Sequence, residues 1–259
     1  MTEQARLKSK SSEIKEKNFR LAVEYDGTHY HGWQIQPVDV TIQAEIQTVL
    51  RRLTQSNVHV SGSGRTDAGV HAMGQVAHFK ATTAISPEKF HDALNKMLPD
   101  DIVIRECSYA DNDFHARFSA KRKTYRYSIL NSKIPVAINR HYYWHIIKTL
   151  DTASMQAAAS FLVGGKDFKA FEGAGSPKKS TVRTIFDARI EKAGDVITFE
   201  VSGSGFLKFM VRNITGTLVD VGLGKITPED FREILLSKDR SNASPTAPPQ
   251  GLCLMHVGY

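Results

Sequence analysis

Polar and apolar positions alternate from the first structured stretch of the chain. Phe19, Leu21, Val23 and Tyr25 are separated by Arg20, Ala22 and Glu24, the period of a half-buried strand ended by the turn pair Asp26-Gly27. The period then changes. Ile42, Ile46, Val49, Leu50 and Leu53 fall on one helical face behind a capping Thr41. Val58 and Val60, and then Gln75 to Phe79, read as strands either side of a glycine-rich loop. Ser86-Pro87-Glu88 starts a second helix, with serine as cap and Phe90, Leu94 and Met97 as its apolar stripe. Strands follow at Ile102 to Ile104 and Lys121 to Leu130.

The second half repeats this mixture. Tyr142 to Ile146 predicts a strand, and Asp151-Thr152 opens a helix carrying Met155, Ala158, Ala159 and Leu162. Gly173 to Ser180 is a basic loop. Two strands, about Val182–Glu191 and Val196–Ser202, are joined by a turn at Gly194-Asp195. A helix is expected over about Phe206 to Val221, another from Thr227-Pro228-Glu229-Asp230, and a last strand over Leu252 to Val257. This pattern predicts an α+β fold of two similar units, each a mainly antiparallel sheet with helices on one face. The units are expected at residues 19–135 and 136–259, with the boundary between 131 and 140. Residues 1–18, lysine-rich and without periodicity, are expected to be a polar tail.

Composition narrows the class. The 259 residues are 41% apolar and 24% charged, as in a globular protein, and no apolar run approaches the ~20 residues that span a bilayer. Cys107 and Cys253 stand alone, which suits a reducing compartment and gives neither a disulfide nor a zinc framework. With no apolar leader at the N-terminus, a cytoplasmic location is expected. The net charge of +7 favours a polyanionic partner.

The candidate chemistry lies in Ser61-Gly62-Ser63-Gly64-Arg65-Thr66-Asp67-Ala68-Gly69-Val70-His71-Ala72. Three glycines let a ligand approach the main chain, and Asp67 sits two residues from Arg65. The same residues also suit a plain turn in which Asp67 bonds its own backbone. By themselves Arg212 reads as a helix-surface charge, Tyr125 as a core aromatic on an alternating strand, and Leu252 as a core leucine.

The stretch Gly64 to Ala72 resembles the signature of the TruA-type tRNA pseudouridine synthases. Further ordered matches are Tyr25 to Gln34, Leu98-Pro99-Asp100-Asp101-Ile102, Phe114 to Ala120, Thr124-Tyr125-Arg126-Tyr127, Met210 to Ile214 and Ala247 to Leu252, so the resemblance runs from about Phe19 to near the C-terminus. It implies two subdomains with their sheets joined around a central basic cleft. It implies an isomerase that converts uridine to pseudouridine at positions 38, 39 and 40 of the tRNA anticodon arm, without a cofactor or bound metal. Asp67 would be the reacting carboxylate, Arg212 its ion-pair partner and Arg65 a substrate contact. Tyr125 would stack on the target base near the proton to be removed, and Leu252 would close the pocket. A guanidinium beside Asp67 is expected to deepen its ionisation. Phe114-His115-Ala116-Arg117-Phe118 offers aromatic and cationic groups to RNA, and Lys178, Lys179 and Arg183 form a basic cluster for phosphates or a merely solvated loop. Lys123 departs from the arginine common at its position. A homodimer sharing one tRNA is the family's usual state. Two other readings compete: a metal-dependent hydrolase using His29, His31, Asp67 and His71, and an RNA-binding module without catalysis.

Overall fold

The computed structural model describes residues 15–175 and 180–259. The first alternating stretch becomes β1 (Glu16–Tyr25), which starts three residues before the alternation does. Glu16, Lys17 and Asn18 pair with Thr82, Ala81 and Lys80, and the Asn18 amide donates to the carbonyls of Asp111 and Phe114. Backbone pairing, not side-chain period, extends the strand. The polar segment expected to reach residue 18 is therefore in the sheet from Glu16, while residues 1–14 lie outside the described residues.

The remaining elements of the first half are α1 (Ile42–Thr54), β2 (Ser61–Gly62), β3 (His71–Thr82), α2 (Pro87–Met97), β4 (Ile102–Ala110) and β5 (Arg122–Asn131). Both helix starts use the caps legible in the sequence: Thr41 accepts from the Ala44 N–H and Ser86 from the Lys89 N–H. The second half supplies β6 (Trp144–Ile146), α3 (Thr152–Ser160), β7 (Gly164–Asp167), β8 (Val182–Ala193), β9 (Val196–Gly203), α4 (Met210–Gly222), α5 (Pro228–Ser237) and β10 (Leu252–Gly258). β7 has no apolar alternation; it forms because its backbone pairs with β8 along the sheet edge. α4 starts at Met210 rather than near Phe206 because Phe209 adopts a left-handed conformation, φ 59°, that breaks the helix before it.

The strands form one continuous sheet in the order β4-β1-β3-β10-β5-β9-β8-β7, with β2 added to β3 and β6 to β5. Pairing is antiparallel except for β10 on β3 and β6 on β5. By register Tyr25, Ala72, Leu254, Tyr125 and Val201 form one buried row across the sheet, joining both halves. The Phe19 ring on this face stacks on Phe79 at 4.9 Å and meets Phe90 of α2 edge-on at 5.0 Å. In the second half Gln156 of α3 ties to β8, accepting from the Ile190 N–H at 2.6 Å. The other face carries a charged ladder of Arg126, Glu200 and Arg189. β5 belongs by sequence to the first half, yet it lies between β10 and β9 of the second. β10 in turn bridges β3 to β5. The fold is α+β, and its middle is built from strands of both halves.

Among the described residues no helix is long and apolar enough to cross a membrane.

Candidate active site

The loop between β2 and β3 is held from three sides. At its start, Ser63 donates its N–H to the Val76 carbonyl and its hydroxyl to Gln75 Oε1, while Gln75 Nε2 donates to the Gly64 carbonyl. Lys123 on β5 donates to the Ser63 carbonyl at 2.6 Å. Burial pushes the Lys123 ammonium down to about 8, and the neighbouring Arg117 charge adds to the effect. In the middle, the segment after β1 forms a cradle. The Trp33 N–H donates to the Thr66 carbonyl, and the Tyr25 and Thr66 hydroxyls meet at 2.7 Å. Gly32 has φ +87°, and a Cβ there would lie 2.5 Å from the Thr66 carbonyl oxygen, so only glycine lets the cradle close on the loop. At the far end, Gly69 has φ +74° and faces the Pro249 ring. The turn is closed by the Val70 N–H on the Asp67 carbonyl.

This framework presents Asp67, half-buried, to the N-terminal turn of α4. Arg212 Nη1 donates to Asp67 Oδ2 at 3.2 Å, and Arg212 Nε donates to the Ala247 carbonyl at 2.8 Å. The guanidinium also lies 4.9 Å from the Phe209 ring centroid, so three contacts fix its plane. The guanidinium favours the ionised form of Asp67, as expected, but it does not set the balance. Burial pushes the carboxyl above its ordinary value, and Arg212, helped by Lys208, reverses only part of that. Arg65 takes no part in this pairing. It is exposed, and among the described residues the ion pair of Asp67 is with Arg212 alone. The general reading of Arg212 as a helix-surface charge fails, because its side chain is 13% exposed.

Tyr125 is buried on β5, with Phe206 packed edge-on at 5.1 Å. Burial first, and then the charges of Tyr25 and Asp67, hold its phenol well above the ordinary range. The group is therefore a neutral hydroxyl at neutral pH. Leu252 is buried at the start of β10, opposite Tyr127, whose hydroxyl donates to the Pro248 carbonyl.

His71 ends the loop in a network that the sequence does not reveal. Its Nδ1 lies 3.0 Å from the Gly27 backbone nitrogen, and its Nε2 faces the carbonyls of His141 and Gln250 at 3.0 and 3.2 Å. Asp26 Oδ1 lies 3.0 Å from the same Nδ1. Burial pushes the Asp26 carboxyl up, but hydrogen bonds from Thr28 and Tyr142 more than offset this and hold it below its ordinary value. His71 thus locks the loop to the crossing segment at 139–143 and to the turn before Leu252. It is occupied by these partners rather than aimed at Asp67. His29 and His31 are exposed, and among the described residues no three His, Cys, Asp or Glu side chains converge as a metal site.

The residues singled out for RNA contact divide. Arg117 and Phe118 are exposed and His115 is half-buried. Phe114 instead packs on Tyr259 at 4.9 Å, and Ala116 is fully buried, so both serve the turn rather than its surface. Arg183 is half-buried and donates to the Ser180 carbonyl. Lys178 and Lys179 lie outside the described residues. Sequence reasoning missed Lys208, which adds positive charge near Asp67, and Phe209, which supports Arg212. The signal was present in the cation–aromatic pair just ahead of a helix.

The family model for tRNA pseudouridine synthase matches residues 21–119 and 158–259. A protein of Thermoanaerobacter sp. named tRNA pseudouridine synthase A is 50% identical over 243 residues, covering 94% of this chain and 100% of its own length. Its namesake in Acetivibrio thermocellus is 49% identical with the same coverage. Among solved structures, a chain of a Cbf5–Nop10–Gar1 complex has a TM-score of 0.35 at 13% identity, covering 91% of this chain and 57% of that one, too distant a likeness to carry an argument.

Proposed function

The chain belongs to the tRNA pseudouridine synthase family, and from that premise we propose that it isomerises uridine to pseudouridine at positions 38, 39 and 40 of the tRNA anticodon arm, with Asp67 as the nucleophile. It is an isomerase acting on tRNA. In the reaction the bond from the ribose to uracil N1 breaks and the detached base turns. A new bond from the same sugar carbon to uracil C5 forms, the C5 proton leaves, and N1 gains a proton. No group is gained or lost, so no cofactor is consumed.

The observation that carries this reading is the Asp67–Arg212 pair. It joins a loop of the first half to a helix of the second, next to Tyr125. Arg212 keeps the carboxylate ionised and aimed despite its burial. Tyr125 supplies an aromatic face for the base and a hydroxyl, protonated at neutral pH, through which the C5 proton is relayed. Leu252 closes the base pocket. The target uridine leaves its stack to reach Asp67, at a cost of a few kcal/mol. Contacts to the rest of the RNA by Arg65, His115, Arg117, Phe118, Arg183 and the lysines at 178 and 179 offset that cost.

The working state proposed is a cytoplasmic homodimer. Ile134, Ile138 and Ile147, 75%, 82% and 63% exposed, support a further apolar contact outside the chain. Sedimentation of the purified protein tests the dimer. The reaction is tested by nucleoside mapping of an unmodified tRNA transcript after incubation with native and Asp67→Ala protein. Native protein is expected to leave pseudouridine at the three positions and the variant none. Undiminished conversion by Asp67→Ala would refute the assignment.

A further inference from the structure

The short turn from His115 to Ser119 is more firmly built than an exposed loop requires. Ser119 N–H donates to the His115 carbonyl, and His115 N–H donates back to the Ser119 hydroxyl at 3.1 Å. The Arg117 N–H points at His115 Nδ1 at 3.1 Å, with that of Phe118 at 3.4 Å. Between them Ala116 is nailed to the core, its N–H on His78 Nδ1 at 3.2 Å and its carbonyl under the Tyr259 hydroxyl at 2.7 Å.

This scaffolding sets three rings in a tilted series, with interplanar angles of 56° and 36°. His78 lies 4.5 Å from His115, and His115 lies 4.3 Å from Phe118. Burial, and then His115, push the His78 ring down to about 4, so the base of the column is neutral. The top ring, Phe118, is 76% exposed, and the Arg117 guanidinium lies 5.5 Å from its centroid. An apolar ring held in place with its surface open has already lost the freedom that binding would otherwise take from it. The column stands beside the catalytic loop. At its base His78 pairs in register with Ser61 of β2, six residues before Asp67. An aromatic face stacks on any nucleobase, and the adjacent cation suits the phosphate attached to it.

We propose that Phe118, with Arg117 beside it, is the seat of a second nucleobase of the substrate RNA: an unpaired base near the uridine being modified, held outside the Asp67–Tyr125 pocket. The seat rests on the reaction proposed above for the class of its ligand. It orders the RNA around the target and takes no part in the bond changes.

The test is a binding cycle. The probes are a synthetic hairpin with the sequence of a tRNA anticodon arm, and the same hairpin with one unpaired base at a time replaced by an abasic ribose. They are titrated into protein with Phe118 native, Phe118→Ala or Phe118→Trp, all in an Asp67→Ala background so that no turnover occurs. Phe118→Ala is expected to weaken the intact hairpin roughly 5- to 150-fold and Phe118→Trp to preserve binding. One abasic hairpin is expected to bind the native-Phe118 protein as weakly, with no further loss in Phe118→Ala. Thermal unfolding should not move, because the ring is exposed. Binding by Phe118→Ala within twofold of the parent, the same loss on every abasic hairpin, or no binding of the hairpin at all would overturn the seat. If the coupling appears while the native chain makes no pseudouridine, the seat stands and the reaction assigned above falls.

Discussion

Arg212→Met removes the counter-charge of a carboxylate that burial already disfavours. At the observed 3.2 Å, two unit charges attract by about 5 kcal/mol at an effective dielectric of about 20. The side chains are 13% and 26% exposed, so solvent screens part of this. A net loss of about 2–3 kcal/mol fits the range for hydrogen bonds to charged groups. If it falls wholly on the transition state, the rate drops about 30- to 150-fold. The loss has a pH signature. Without Arg212 the Asp67 carboxyl rises further above its ordinary value, so the acid limb of the rate profile moves to higher pH and the deficit narrows as pH increases. Arg212→Lys keeps a charge but gives up the Ala247 contact and the planar fork, and should fall between native and Met. Single-turnover pseudouridine formation across pH, with saturating tRNA transcript, measures all three proteins. A Met variant with native rate, or one whose deficit is the same at every pH, would refute the claim that Arg212 acts through the charge of Asp67.

Two further outcomes follow from neutral buried rings. Tyr125→Phe keeps the aromatic face and loses the hydroxyl. Steady-state kinetics should show KM within about threefold of native and kcat lower by about 10²–10⁴, and an unchanged kcat would remove the hydroxyl from the reaction. His78 is held near about 4 instead of its ordinary 6.5. The unfolded chain therefore takes up the proton first, and stability that is complete above about 6.5 is lost as pH falls towards 4, by about 2–3 kcal/mol. In His78→Asn, whose amide oxygen can still accept from the Ala116 N–H, melting temperatures should lack that part of the decline. An identical acid slope in both proteins would show that His78 does not supply it.

The elements were legible where side-chain period and end signals agree. α1, α2 and α5 begin at caps that stand in the sequence, and β8 and β9 flank the turn that Gly194-Asp195 marks. β7 was not legible, because an edge strand of Gly-Gly-Lys-Asp has no apolar face to write into its pattern. The late start of α4 was hidden for a different reason: a left-handed phenylalanine has no composition signal. At the site, Asp67 stood out as a lone carboxylate on a glycine-rich loop. Its partner could not be chosen from spacing, since Arg65 is two residues away and Arg212 is brought in only by the sheet. The balance of its ionisation was also out of reach, because burial is a property of the assembled fold. His71 shows the limit most plainly. Its four neighbours come from residues 26, 27, 141 and 250, and no local window contains them.

β10 lies between β3 and β5 and, among the described residues, is the only strand that joins the two groups. Its residues, 252–258, leave the ribosome after every other strand of the sheet. Without β10 the loop bearing Asp67 and the strand bearing Tyr125 would belong to separate sheets. A partly translated copy can therefore hold neither the carboxylate nor the aromatic face in register.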